Sequence, residues 1–517
     1  MNKFSKLMKI GVLLALSGGL FSCGGTSSPA GGTSANSSDG SEVTESESSQ
    51  VSSNTVEITF WTTFNKKLEN YIDRYAKNFA ALVKKNEGVD ISITAKQVGG
   101  YDEIFRQIST GLGTGNIPTM AIAYPDHVAT YLQAENGNAG RYVVNLDKYI
   151  DDEKVGFGKE SYIGNADASD FVEAFYKEGS SYTQKGTYSL PLMKSSEVLY
   201  YNKEYLAELV PVYTEGEVQT PVAIDHWVSN LTWDEYMAFN AWIKDEFMSG
   251  KVTKRLDGKD ITINSLVMPA FYDDDANLFI SKAYQNGGGY LSLDENGKGQ
   301  IDFDSAKNKA MVEEFRAQHA KGYFETKGSK GEYGSNYFTT GQCVFDVGSS
   351  GGASYQVPSG DLFTVGVAKV PASNNNPLYI TQGPTMTLLN NVRYSAEINE
   401  QRQLYAWKFM KYLTGAEVNG DLCISSEQGY VPVRNSAYET DDFLDYLDDP
   451  DQPAIVKNTK VVKNDIDGHY IEQPYFPGSS TARDQVGAVV TAALTGNESV
   501  DTLFKNAVNQ VKADMSE

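Results

Sequence analysis

Between residues 56 and 124 the apolar period changes repeatedly, and turn-forming residues mark where a helical stretch ends. Val56-Glu57-Ile58-Thr59-Phe60-Trp61 alternates apolar and polar side chains, the period of a half-buried strand. Ile72, Tyr75, Phe79, Leu82 and Val83 then recur at helical spacing, until Asn86 and Gly88 supply residues that favour a left-handed cap. Ile91, Ile93 and Ala95 make a second strand, and Ile104, Ile108 and Leu112 a second helix running into Gly113, Gly115 and Pro118. Met120 to Tyr124 is a third strand. Strand, helix, strand, helix, strand requires right-handed crossovers and a largely parallel sheet, in which ligands sit beyond the carboxyl ends of the strands. The chain is therefore read as α/β, with the loops after these strands as the candidate site.

The 517 residues exceed the ~250 to 300 at which one hydrophobic core stops growing, so at least two folding units are expected. The formal net charge is -23, and the basic residues are scattered singly rather than grouped into a face that tracks a phosphate backbone. Nucleic acid is thereby excluded as a partner, and the charge reads as a device for solubility.

At the amino end Lys3, Lys6 and Lys9 precede an apolar run from Ile10 to Leu20, followed by Leu20-Phe21-Ser22-Cys23-Gly24. Residues 1–22 read as a signal peptide. The run is shorter than the ~20 apolar residues of a spanning helix. Leu, a small residue and Cys resemble the bacterial lipobox, with Phe21 where a smaller residue is usual. That resemblance implies lipidation of Cys23 and a chain held at the outer face of the cell membrane. One acyl chain binds a bilayer only marginally, so several are expected. Residues 23–54 are built mainly of Ser, Thr, Gly and Glu, with little to bury, and read as a flexible tether.

Further along, Thr232 followed by Glu235 is a capping-box pattern opening a helix at Trp233. Asp294-Glu295-Asn296-Gly297-Lys298 resembles the start of a calcium loop, but Lys298 and Ser305 stand where acids are needed. Asn296-Gly297 between Leu291 and Ile301 reads instead as a tight hairpin. Val500, Leu503, Phe504, Ala507, Val508 and Val511 form the stripe of a terminal helix packed on a core. Cys343 and Cys423 carry no framework signal and are expected to stay reduced and buried.

Catalytic signatures are missing. His127, His226, His319 and His469 lack metal-ligand spacing, and no nucleophile elbow, phosphate loop or dinucleotide fingerprint occurs. No metal, no cofactor and no enzymatic activity are expected. The run Asp273-Asp274-Asp275 reads as a solvated acidic turn, although paired carboxylates of a surface glycosidase can come from anywhere in a chain. A non-transport adhesin or scaffold is the other competing class.

Six pieces appear in one order: Phe60-Trp61-Thr62, Gly113-Thr114-Gly115-Asn116-Ile117-Pro118, Leu190-Pro191, Val198-Leu199-Tyr200-Tyr201-Asn202-Lys203, Thr232-Trp233-Asp234-Glu235 and Gln428-Gly429-Tyr430-Val431-Pro432-Val433. Together they resemble the extracellular solute-binding proteins that serve carbohydrate-type ATP-binding-cassette importers, over nearly all of Val56 to Met515. The resemblance implies a periplasmic-binding-protein-like, maltose-binding-protein-like fold: two α/β lobes, a hinge and a ligand cleft between them. One lobe is placed at 55–192 plus 382–438 and the other at 193–381 plus 439–517, with crossings near Leu192-Met193, Thr381-Gln382 and after Tyr438. It also implies a monomer that hands a small polar solute to the membrane permease subunits.

Gly429-Tyr430-Val431-Pro432 followed by Ala437-Tyr438 is similar to the glycerol-3-phosphate and phosphodiester binders of that family. Their ligand positions fall here on Tyr101, on Ser195 or Ser196, on Gly383, on Tyr430 and on Arg483. The acid expected after Tyr124 is displaced, since Pro125 comes first and Asp126 second. Maltose-type relatives carry a sugar-stacking tryptophan at Gly496, 13 residues beyond Arg483. The arginine's planar fork matches phosphate or carboxylate oxygens, with Ser195, Ser196 and the backbone at Gly383 completing the shell. Alternatively Arg483 pairs with an acid, or stacks on Trp61 beside an uncharged sugar. A small saccharide or polyol, or its phosphorylated derivative, is the expected ligand.

Overall fold

The computed structural model describes residues 55–164, 167–248, 266–372, 376–451 and 453–516. The signal peptide, Cys23 and the tether lie outside the described residues.

β1 (Val56–Thr62) buries Val56, Ile58 and Phe60 on one face and exposes Glu57 and Thr59 on the other, as its alternation requires. The following helix, Lys66–Glu87, opens where Asn65 Oδ1 accepts from Leu68 N at 3.0 Å and closes at Gly88, whose φ is 74°. Its buried stripe includes Ile72, Tyr75, Phe79 and Val83. β2 (Ile91–Gln97), the helix Tyr101–Gly111 and β3 (Met120–Ala123) complete the first βαβαβ run, with β1 parallel to both neighbours.

This sheet has the order β2-β1-β3-β12-β4, where β4 is Leu190–Pro191 and β12 is Thr385–Leu388. β12 pairs antiparallel with both β3 and β4. The sheet is thus less parallel than the early pattern suggests, because β12 is contributed by a later segment of chain that returns from the other sheet.

The second sheet has the order β11-β5-β10-β6-β9. It combines β5 (Glu197–Asn202), β6 (Ala270–Tyr272), β9 (Glu325–Thr326), β10 (Phe345–Ser349) and β11 (Val365–Lys369). β5 is buried along its whole length, its apolar and aromatic stretch Val198 to Tyr201 flanked by the buried polar Glu197 and Asn202. β7 (Leu291–Leu293) and β8 (Gly299–Ile301) form the hairpin anticipated around Asn296-Gly297. There Asp294 Oδ1 accepts from the backbone N–H of Asn296 at 2.9 Å and of Lys298 at 2.8 Å. The capping box at Thr232 is formed, and the terminal helix Val500–Asp514 buries Val500, Leu503, Phe504, Ala507 and Val511.

The chain passes between the sheets from β4 to β5 and again from β11 to β12, and the two passing segments pair with each other. Ser195 N donates to Gln382 O at 2.9 Å and Gln382 N to Ser195 O at 2.8 Å. Gly383, at φ +100°, allows the close approach, since a Cβ there would sit 2.6 Å from Met193 O. Beneath them the buried Lys194 Nζ meets Glu178 Oε2 at 2.5 Å, and the Thr381 hydroxyl donates to the same carboxylate. Cys343 and Cys423 are both free and buried.

Candidate functional site

A cavity of about 600 Å³ is lined from both sheets and from the passing segments between them. On the first-sheet side, Tyr101 opens the helix after β2 and Tyr124 precedes the helix Pro125–Gln133 after β3. Both therefore stand at carboxyl ends of parallel strands, where an α/β sheet offers its crevice. Their rings stack with centroids 4.0 Å apart at 14°. Burial pushes both hydroxyl pKa values above the ordinary tyrosine range.

Tyr430 joins them from a sharp corner at Gly429, whose φ is +86° and where a Cβ would fall 2.8 Å from Asn458 Nδ2. Its ring lies over Gly351, because a Cβ on that glycine would approach Tyr430 Cε1 to 2.7 Å. Burial pushes the Tyr430 hydroxyl up to about 12. Tyr333 and Tyr355 also line the cavity while remaining 52% and 67% exposed, so their faces stay available at its rim.

The second-sheet side is acidic. Glu197 begins β5, accepts from the Tyr272 hydroxyl and from Asn277 Nδ2 at 2.9 Å, and is held up to about 8 by burial and then by Asp274. Asp273 follows β6, accepts from Gly334 N at 2.6 Å, and is raised to about 6, mainly by burial. Behind it lies Asp346 of β10, fully buried, whose pKa burial and then Asp273 push well above the carboxylate range. Gln356 Nε2 donates to Asp346 Oδ2 at 2.6 Å.

The run Asp273-Asp274-Asp275 is consequently not the solvated turn its composition suggests. Asp275 is buried and accepts from Thr326 Oγ1 at 2.8 Å and Gly328 N at 2.9 Å. Asp274 caps the helix Asp275–Gln285 and pairs with Arg483 at 3.3 Å. Ending a strand at the crevice places all three where neighbouring donors converge.

A smaller adjoining cavity, about 40 Å³, shares Tyr124 and Gln382 with the first and is lined by Asp126, Gln473, Tyr475 and Arg483. The Arg483 fork is engaged here by Asp274 and by Asn277 Oδ1. Burial alone would lower its pKa, but Asp274 and then Asp126 outweigh that and hold it above its usual value.

Of the residues singled out from sequence, Tyr101, Ser195, Gly383 and Tyr430 line the larger cavity, and Asp126 and Arg483 the smaller. Ser196 is fully buried and its hydroxyl donates to Ile380 O at 2.8 Å, so it serves the passing strand rather than a cavity. Trp61, half-buried on β1, is not among the described residues lining either cavity. Sequence reasoning missed Glu197, Asp273, Asp274 and Gln356. Glu197 adjoins the Ser195-Ser196 pair, and the Asp273 run directly ends an apolar strand, so position at a strand end was the available signal.

A family model described as a bacterial extracellular solute-binding protein matches residues 74–453. The chain belongs to this family. Its members are binding components of transport rather than catalysts, and the family is extracytoplasmic. No helix among the described residues is long and apolar enough to cross a membrane.

No curated protein matches the chain. Among solved structures it is similar to an ABC substrate-binding protein from Listeria monocytogenes in complex with cycloalternan, at TM-score 0.63 and 16% identity, covering 90% of this chain and 99% of that one. UgpB from Mycobacterium tuberculosis, in complex with glycerophosphocholine, gives 0.61 and 17%, covering 89% and 98%. The GacH receptor of Streptomyces glaucescens, solved unliganded and with acarbose, gives 0.60 and 18%, covering 89% and 98%. At these identities the likeness establishes the fold, which is that of maltose-binding-protein-like binding proteins.

Proposed function

We propose that this solute-binding protein captures a small, hydroxyl-rich solute, a saccharide or polyol, in the cavity between its sheets and delivers it to an ATP-driven importer. The observation that carries this reading is the pairing of tyrosine faces with hydrogen-bond acceptors across one cavity of about 600 Å³. Aromatic faces cover the apolar side of a sugar ring while carboxylates and amides accept from its hydroxyls. The lobes are drawn at 55–192 plus 382–438 and 193–381 plus 439–517, hinged on the paired segments at Ser195 and Gln382. Acylated Cys23 and the tether to residue 54 would hold the protein at the outer membrane face within reach of the permease subunits.

A phosphorylated polyol such as glycerol-3-phosphate is the weaker form of the proposal. It relies on Arg483, whose fork already meets Asp274 and Asn277. The facing wall adds Asp273, an acid that an anion would have to approach, with Lys327 beside it.

A thermal-shift panel of neutral mono- and oligosaccharides, glycerophosphodiesters and glycerol-3-phosphate tests this, because a ligand that binds only the native state raises the melting point by mass action. Saccharides are expected to raise it. A rise with glycerol-3-phosphate alone, lost in Arg483→Ala, would transfer the assignment to phosphorylated ligands. No rise with any member would defeat the reading.

A further inference from the structure

We propose that Arg483 is a latch between the lobes rather than a ligand contact: it balances acids that face each other from the two lobes, and so sets how readily the cleft closes on any solute. The proposal rests on the binding reading above, with the lobes as drawn there, and adds to it a positioning residue.

Its first support is where the arginine stands. Arg483 lines the smaller cavity, of about 40 Å³, and is not among the described residues that line the larger one with its tyrosine faces. The smaller cavity is bounded by Pro125 and Asp126 of the first lobe, by Tyr290, Gln473 and Arg483 of the second, and by Gln382 of a passing segment. The helix that carries the arginine, Ser479–Thr495, packs on the helix Asp275–Gln285 of its own lobe. It also meets the helix Pro125–Gln133, whose first turn holds the buried Asp126. Arg483 reaches Asp274 and Asn277 through Nη2. The amide oxygens Oε1 of Gln382 and Gln473 are buried without a protein partner. A polar cavity of this volume accommodates bridging water, through which a guanidinium reaches acceptors on both sides of the lobe boundary.

The second support is the balance of charge around it. Asp102 and Asp126 come from the first lobe and Asp274 and Asp484 from the second, and each is felt by Arg483 or by its neighbour Asp484. Against the effect of burial, Asp274 and then Asp126 hold the guanidinium above its usual pKa. Burial, then Asp102 and Asp126, push the Asp484 carboxyl above the ordinary range, and Arg483 opposes them. His127, next to Asp126, is pushed down by burial, so it brings little substitute charge at neutral pH. Removing the arginine thus leaves acids of one lobe facing acids of the other, which favours separation of the lobes. A residue that changes only the population of the closed form changes the apparent affinity for every ligand by one factor, whereas a ligand contact discriminates.

The test has a ligand-free arm and a binding arm, both on the full-length protein. In urea unfolding without ligand, Asp126→Asn is expected to lower the midpoint in the wild-type background. In the Arg483→Met background, where that acid has become a source of repulsion, the same change is expected to raise it. In titration calorimetry with maltotriose and with glycerol-3-phosphate, R483M is expected to weaken each probe that binds by tenfold or more and, where both bind, by one factor. Arg483→Lys, which keeps the charge, should recover most of that loss. Equal effects of D126N in the two backgrounds would overturn the latch. A loss in R483M confined to glycerol-3-phosphate would overturn it too and return the arginine to the ligand. Binding of neither probe to the wild type would count against the saccharide reading alone, and the ligand-free cycle then decides the latch. If R483M does not fold, the effect of D126N on the wild type decides, an unchanged or raised midpoint overturning the latch.

Discussion

The wall that the first sheet gives to the cavity is aromatic and complete within itself, whereas the wall from the second sheet is acidic and only partly compensated. Tyr101 and Tyr124 stack on each other and lose little by being covered. Glu197, Asp273 and Asp346 instead sit where burial disfavours their charged forms. The difference separates two tasks. A stacked tyrosine face accepts any ligand with an apolar side, so it contributes affinity with little discrimination. Buried carboxylates lower stability unless something donates to them, and that same deficit distinguishes one ligand from another.

If the acid wall is rigid, crowding it should be the most damaging change. Gly334 packs so closely that a Cβ would overlap Asp346 Oδ1 and the Phe271 ring. Gly334→Ala is expected to cost about 1–3 kcal/mol, read as a lower urea midpoint with an unchanged slope. No loss would mean that this wall yields easily and that its acids can move apart.

The next effect is one of pH. Burial and then Asp274 push Glu197 up to about 8 in the folded protein, above its ordinary value, so the folded state holds a proton that the unfolded chain releases earlier. Its contribution is present in full below the unfolded pKa and drains as pH rises towards the folded one. Asp273, raised to about 6, acts in the same direction. Stability should therefore fall between pH 5 and 8, by at most about 1.4 kcal/mol per pH unit for Glu197. Glu197→Gln should flatten the melting temperature across that range. An unaltered slope in E197Q would show that this acid is compensated like the tyrosine wall.

The same contrast explains how much could be read from the sequence. The βαβαβ run was legible because one-sided burial leaves a period in the residues, and Tyr101 came from the resemblance to the phosphodiester binders, its place after β2 agreeing with it. The hairpin at Asn296-Gly297 and the cap at Thr232 were legible because both are local. Burial of charge leaves no period: Asp273-Asp274-Asp275 has the composition of a surface turn, and only the strand it ends puts it inside. The engagement of Arg483 was equally hidden, since Asp274 lies 209 residues away. Ser195 and Ser196 are neighbours of one type, and the pairing of the passing segments decides which of them faces the cavity.

The smallest effect concerns the aromatic wall and sharpens the comparison most directly. Replacing Tyr101 by Leu keeps much of its apolar area but removes the stack on Tyr124, worth about 0.5–1.5 kcal/mol beyond area alone. Stability should fall by roughly that amount, and every ligand that binds should weaken by a similar factor. The ratio of affinities between two ligands of different charge should stay as in the wild type, because Tyr101 brings no charge to the cavity. The measurement is a pair of titrations on Tyr101→Leu with the tightest and weakest ligands of the panel. A changed ratio would show that the tyrosine face selects as well as holds, and the division of labour between the two walls would then fail.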